Sequence, residues 1–477
     1  MATALLDYSH PFLSATKKKT VPVIVLTAKS FPAWLKKQKQ AVQGAVAQNG
    51  FKAAPGQTMF VWGTKGDVET VLTGVNERLQ HYDLAATAAA LRQGLSAKAL
   101  KGAVFRLEGV KAGDDETRAA LGWGLSSYRF TRYKKKPETE TVDPVLLWPE
   151  KADRKVVEAQ LEGVFLIRNL VNTPSNDMGP EDLESAAAQL ADKYGAKARA
   201  IVDGNLKRQN FPLIYTVGDS SPRRPRLIDI TWGKPSHPKV TIVGKGVCFD
   251  TGGLDIKPPQ YMLLMKKDMG GAAHALGVAL MVMKAKLPVR LRVLVPAVEN
   301  STDGNSFRPR DVSKSRKGLS VELSDTDAEG RLILADAITY ACEEEPDLLI
   351  DLATLTGSAR VALGYDIPAL FSNRDKIAEE LKTVAAGVED YLWPLPLFDG
   401  YRKELDSDVA DINNIGSGAA GAIHAGLFLR EFITGDPDWI HLDMYAWEQN
   451  GKPGRPRGGA DTGARAVFAY LQKRFGA

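Results

Sequence analysis

A chain of 477 residues exceeds what one compact core accommodates, and its 44% hydrophobic and 25% charged content is ordinary for a globular protein, so two domains, at most three, are expected. The net charge of +5 lies partly in short runs, Lys17-Lys18-Lys19 and Arg132-Tyr133-Lys134-Lys135-Lys136; without groove-reading or aromatic-interleaved motifs these read as solvated surface, and no nucleic-acid partner is expected. Two distant cysteines, Cys248 and Cys342, exclude a disulfide framework, and neither a membrane-length apolar run nor a basic-then-apolar leader is present, so the expectation is a soluble, cytoplasmic protein.

Residues 1–19 read as a loose arm. Thr20–Thr27 is a β-branched run and predicts a strand, and Phe31–Gln48 predicts an amphipathic helix with Trp34, Ala41, Val42 and Ala45 on one side. Strands at Thr58–Gly63 and Ala103–Gly109 and helices near Leu84–Leu95 and Glu116–Ser127 follow. This part, residues 1–150, is expected to be a smaller N-terminal α/β domain for packing or assembly, because it holds no cluster of catalytic residue types. The charged, Pro-containing stretch Lys134–Asp143 predicts a linker. A short strand at Val145–Trp148 and a helix at Ala152–Asn169 come next. That helix, within a connecting segment 151–172, is broken by Asn172-Thr173-Pro174-Ser175-Asn176, since proline disfavours helix at the residue before it. Pro180–Tyr194 predicts a second helix with proline in its first turn.

Residues 173–477 are expected to form the larger, catalytic domain, a central mixed sheet flanked by helices. Strands are predicted at Ala198–Val202, Leu213–Val217, Arg226–Trp232, Val240–Val243, Leu291–Val295 and Leu348–Leu352, with helices at Gly270–Lys286 and Glu329–Glu344. In such sheets ligands bind beyond the carboxyl ends of the strands. Lys245 and Asp250 follow one strand, and Asp327-Ala328-Glu329 precedes a helix.

The stretch from Val243 to Leu332 holds Asp250, Asp268, Asp327 and Glu329 together with Lys245, Lys257 and Arg331, among glycines and apolar runs that otherwise read as core. Buried charges need partners. Asp327 and Glu329, two residues apart, share a face only in extended backbone, so they project from the turn ahead of an apolar helix. Carboxylate oxygens suit hard or borderline divalent ions, and four of them exceed what one catalytic zinc takes but fit a two-ion centre. Lys245 would join such a set as a neutral amine. Taken singly, each acid reads more readily as a cap or an ion-pair partner than as a ligand, and Asp268 as a helix N-cap. The six histidines lack metal-binding spacing, and no nucleophile elbow or Walker loop is present. The residues alone therefore point to a two-metal hydrolase without naming its substrate.

Val243-Gly244-Lys245-Gly246, Phe249-Asp250-Thr251-Gly252-Gly253, Ile256-Lys257-Pro258, Asp268-Met269-Gly270-Gly271-Ala272-Ala273 and Thr326-Asp327-Ala328-Glu329-Gly330-Arg331-Leu332 resemble the signature of the leucyl (cytosol) aminopeptidase family. Asn172-Thr173-Pro174, Ala353-Thr354-Leu355-Thr356-Gly357 and Asp411-Ile412-Asn413-Asn414 also match it, so the resemblance spans about residues 160–477. It implies metal-dependent release of the first amino acid from peptides with a free N-terminus. Two divalent ions, manganese or zinc, would be bridged by Asp250 and Glu329, with Asp327 completing one position and Lys245 and Asp268 the other. Asp268 would also hold the α-amine, Lys257 would stabilise the tetrahedral oxyanion, and Arg331 would hold a bicarbonate acting as general base. A homohexamer is implied as well. Asp325 stands where the family commonly has asparagine, and His441-Leu442-Asp443 continues as Met444-Tyr445-Ala446-Trp447-Glu448. Met265, Thr354, Leu355, Gly357, Tyr445 and Glu448 would line the side-chain pocket, so a leucine preference does not follow. The rival readings are a two-metal phosphoesterase or nuclease and an added nucleic-acid-binding role through Lys134–Lys136.

Overall fold

The computed structural model describes residues 6, 8–135 and 142–476. Its contacts divide into two units: residues 8–161 with 450–457, and residues 162–449 with 458–477. Most of the predicted linker, residues 136–141, lies outside the described residues, as does Lys136 of the basic run.

The N-terminal unit is built on a six-stranded sheet in the order Phe12–Leu13, Val145–Leu147, Val104–Glu108, Thr20–Thr27, Val68–Val75, Thr58–Trp62. All neighbours are parallel except the last pair. Three expectations are corrected here. Part of the supposed loose arm is a strand, because Phe12 stacks on Trp148 at 4.1 Å and is buried. The helix over 31–48 is two, Phe31–Leu35 and Gln40–Asn49, with Lys39 in extended conformation between them. Val68–Val75 was not predicted: its sequence VETVLTGV carries glutamate and glycine and lacks alternation, yet its second half is wholly buried.

The larger unit carries a nine-stranded mixed sheet, ordered Trp393–Pro394, Ala369–Ser372, Asp438–Asp443, Leu348–Ala353, Lys239–Gly244, Arg290–Asn300, Arg226–Trp232, Lys197–Val202, with Gly246–Asp250 added to the far end of Arg290–Asn300. The four central strands run parallel. They are largely apolar on both faces, as strands buried between helix layers must be, and the buried Asp351 and His441 pair with each other. Alternation sends Val243, Leu294 and Leu349 into one cluster with Leu332, Leu334 and Ile338 of the helix Glu329–Cys342. The helix Gly270–Ala285 is buried over nearly its whole circumference. Leu213–Val217, expected as a strand, belongs to the helix Pro212–Gly218. Its β-branched composition is overridden by Pro212 in the first turn and by Asp336, whose Oδ2 accepts from the Leu213 and Ile214 amides at 2.8 and 3.3 Å.

No described helix is long and apolar enough to cross a membrane.

Candidate active site

The carboxyl end of the central strand Lys239–Gly244 delivers Lys245, and two close backbone approaches fix it there. The Lys245 amide donates to the Leu352 carbonyl at 2.9 Å, and its own carbonyl accepts from Ala272 at 2.8 Å. A Cβ on Gly271 would lie 2.0 Å from the Leu352 carbonyl oxygen. Glycine is therefore required for the helix Gly270–Ala285 to start against the strand. The Lys245 side chain runs beside Gly330, where a Cβ would sit 2.3 Å from its Cε. Its Nζ lies 2.7 Å from Asp268 Oδ2 and 3.0 Å from Glu329 Oε1, and donates to the Thr354 carbonyl at 2.9 Å.

Asp250 ends the strand Gly246–Asp250. Its Oδ1 accepts from the Gly252 amide at 2.8 Å and from Asn300 Nδ2 at 2.9 Å, while Oδ2 faces Lys257 Nζ at 2.8 Å. Lys257 also contacts Asp327. Thr326 locks the two loops: its hydroxyl donates to the Gly252 carbonyl at 2.6 Å, and its amide donates to Asp255 Oδ2 at 2.8 Å. Asp268 is not an N-cap, because Met269 holds that position without a side-chain bond. Instead its Oδ1 accepts from the Thr354 hydroxyl at 2.7 Å.

Asp250, Asp327 and Glu329 each offer one oxygen to a group lying within 4.8 Å of one another. Four carboxylates thus converge with two ammonium groups, an excess of negative charge in a buried place. The ionisation equilibria record it. Burial and the neighbouring Asp250 push Asp327 up to about 7 despite Lys257, and push Glu329 well above the carboxylate range. Burial also disfavours charge on Lys245, but Asp268, Glu329 and Asp250 outweigh it and hold the amine above its usual value. Asp268, likewise penalised by burial, is held low by Lys245, Lys267 and Lys257. Asp268 Oδ2 and Glu329 Oε1 share the single Lys245 ammonium, and Asp250 and Asp327 share Lys257. Inward-facing hard oxygens that outnumber the cations beside them fit divalent cations.

Arg331 is buried on the helix Glu329–Cys342. Its Nη1 donates to the Asn414 carbonyl at 2.7 Å, its Nε meets no acceptor among the described residues, and burial lowers its pKa to about 10. A guanidinium so placed can take an anion.

These groups open on a cavity of about 410 Å³ lined by Lys245, Asp250, Lys257, Asp268, Asp327 and Arg331, with Glu329 beneath them against Lys245. Met265, Thr354, Leu355, Gly357 and Tyr445 line it too, so the predicted pocket residues share one wall system. Glu448 does not line it; it lies in the two-residue strand Trp447–Glu448 paired with Gly458–Gly459. Sequence reasoning missed Asn300, which aligns Asp250 and also donates to the Thr326 carbonyl at 3.0 Å. No local signal marks it: with Glu299 it follows the run Val293–Val298 and reads as a solvated strand end. Lys267 was missed as well: half of a Lys-Lys pair that reads as surface, it is buried at the cavity wall, and burial pulls it down to about 8.

A family model described as the cytosol aminopeptidase family, catalytic domain, matches residues 165–468, and one described as the M17 aminopeptidase, N-terminal domain, matches residues 21–143. A probable cytosol aminopeptidase of Syntrophotalea carbinolica is 37% identical over 473 residues, covering 92% of this chain and 94% of the relative. Among solved structures, the cytosol aminopeptidase of Coxiella burnetii is 44% identical with a TM-score of 0.91, over 98% of this chain and 99% of that one. The bottromycin maturation enzyme BotP in complex with Mn is 29% identical with a TM-score of 0.84, over 95% and 99%.

Proposed function

The chain belongs to the cytosol aminopeptidase family, whose members are metal-dependent peptidases, and from that premise we propose that it removes the N-terminal residue of peptides at a two-metal centre. The observation that carries this reading is the convergence of Asp250, Asp327 and Glu329 oxygens within 4.8 Å of one another. Two divalent ions, manganese or zinc, would be held by Asp250 and Glu329 in common, with Asp327 completing one position and Asp268 the other, joined by Lys245 once a dication displaces the proton that its carboxylate neighbours otherwise retain. Such a pair supplies carbonyl polarisation and a water of lowered pKa.

The chain's own groups do the rest. The Asp268 carboxylate takes the substrate's α-ammonium group and so fixes which peptide bond reaches the centre. The Lys257 ammonium faces the oxygen that gains charge as the carbonyl carbon becomes tetrahedral. Arg331, with its unpartnered Nε, would hold a bicarbonate to which the general-base role falls. Met265, Thr354, Leu355, Gly357 and Tyr445 receive the side chain of the N-terminal residue. The domain assignment, residues 1–150 for assembly and 173–477 for catalysis, and a homohexamer belong to the same reading; light scattering giving other than a six-subunit mass would remove the latter.

The test measures metal content by mass spectrometry of the desalted protein, and turnover of Leu-p-nitroanilide against bis-p-nitrophenyl phosphate with Mn²⁺. Two ions per chain and peptidase turnover are expected, both lost together in Asp250→Ala. Phosphate-ester turnover exceeding amide turnover, or one ion at saturation, would refute the reading.

A further inference from the structure

We propose that the recess beside Asp268 selects peptides whose N-terminal residue carries a carboxylate side chain, glutamate or aspartate, and that Lys267 and Arg360 set this preference. The proposal rests on the aminopeptidase reading above and adds the substrate class. Lys267 is only 4% exposed, lines the cavity, and holds its ammonium 4.5 Å from the centre of the Tyr445 ring. Among the described residues its ammonium donates no hydrogen bond and has no carboxylate in ion-pair range. Its neighbour Lys266, by contrast, donates to the Asn172 carbonyl at 2.7 Å. Buried lysines are nearly always paired, since an ammonium against a ring face alone recovers only part of its lost hydration.

Arg360 lines the same cavity, half-buried, with its guanidinium 5.5 Å from the same ring and likewise no acceptor among the described residues. Of the other charges nearby, Arg331 donates to the Asn414 carbonyl and keeps its Nε for the anion assigned to it above, and the rest are committed. Asp268 is engaged by Lys245 and Thr354, and Lys257 by Asp250 and Asp327. Two cations therefore face a cavity on one tyrosine without a direct ion pair among the described residues, Lys267 feeling Asp268 only at longer range. Met265 and Leu355 add apolar contact suited to the methylenes of a short acidic side chain. Lys267 directly precedes Asp268, so a residue whose α-amine sits on Asp268 brings its own side chain to this wall. A leucine there would leave both cations unpaired, which sites built around polar groups discriminate against.

The test compares kcat/KM of the Mn²⁺-loaded protein on Glu-, Asp-, Leu- and Lys-aminomethylcoumarin, with free L-glutamate and L-leucine binding measured by calorimetry. Wild type is expected to favour the acidic substrates over leucine and to bind L-glutamate more tightly than L-leucine. Lys267→Met and Arg360→Met are each expected to lower the Glu-over-Leu ratio by roughly tenfold to a hundredfold, the usual worth of a charge-assisted hydrogen bond, and Lys267→Arg to retain it. A purely structural role would lower all substrates alike. Leu-Gly against Leu-glycinamide separates the other source of a carboxylate: a preference for Leu-Gly that Lys267→Met abolishes would put the anion at the far end of the substrate and overturn the proposal. So would a wild type that cleaves and binds leucine better than glutamate, or an unchanged ratio in both variants. Failure to cleave any of the four would instead overturn the aminopeptidase reading, and this proposal with it.

Discussion

Asn300→Ala removes a side chain that never reaches the cavity, yet it is expected to weaken metal binding. The amide of Asn300 donates to Asp250 Oδ1 at 2.9 Å and to the Thr326 carbonyl at 3.0 Å, with Glu329 Oε2 at 3.5 Å. One buried NH₂ group therefore orients both carboxylates proposed to be shared between the ions and steadies the loop that carries Asp327. A hydrogen bond to a charged acceptor contributes about 1.5–3 kcal/mol. Groups that orient ligands from behind typically change affinity by about tenfold to a hundredfold, or about 1.4–2.7 kcal/mol at 1.36 kcal/mol per decade; the two ranges agree. The assay is activity against free Mn²⁺ in chelator-buffered solution. The half-activation concentration should rise by that factor, with most of the maximal rate recovered at saturating metal. Asn300→Asp should be worse, because it turns an oxygen toward Asp250 and the Thr326 carbonyl. A half-activation concentration within twofold of wild type in Asn300→Ala would refute the orienting role.

Lys257→Ala should keep its metals and lose roughly 2.7–4 kcal/mol of transition-state stabilisation, by analogy with the removal of one oxyanion donor; metal content and kcat/KM on Leu-p-nitroanilide check this together. Gly330→Ala should fold with little change in Tm but lose on the order of a hundredfold in rate, the scale attached to an ångström of misplacement, because the new methyl would lie 2.3 Å from Lys245 Cε. Near-normal turnover would show that Lys245 can shift without consequence. His274 is wholly buried with Nδ1 2.7 Å from the Gly270 carbonyl, and burial lowers its pKa below 6.5. A depressed folded value means stability present above pH 6.5 and lost as pH falls below it. The Tm advantage of wild type over His274→Leu should therefore shrink between pH 7 and 5, and a constant gap would contradict the assignment.

What the sequence made legible was chemistry confined to short, glycine-punctuated stretches. Asp327 and Glu329 must diverge from a helix, and Gly252, with φ +88°, permits the turn after Asp250; both follow from local spacing. Three of the four central strands were equally readable, because burial on both faces leaves a largely apolar run, whereas Asp438–Asp443, carrying two aspartates and His441, was missed. What escaped depended on partners far along the chain. Pro212–Gly218 has strand-like residues but is capped by Asp336, over a hundred residues later. Val68–Val75 is apolar only where its neighbours cover it. Asn300 and Lys267 carry no local mark of burial, since a lysine pair or a strand-end asparagine is ordinarily solvated. Glu448, close in sequence to Tyr445, pairs with Gly458 and is not among the residues lining the cavity.

The tie between Lys245 and the Thr354 carbonyl spans 109 positions, and that between Arg331 and the Asn414 carbonyl spans 83. A chain emerging from the ribosome thus displays every carboxylate of the centre well before the scaffold that aims them exists. An ion captured before those residues are joined would meet carboxylates that nothing yet aims, so discrimination among cations requires the finished sheet. A free fragment truncated near residue 345 should accordingly retain no more manganese than the same fragment carrying Asp250→Ala.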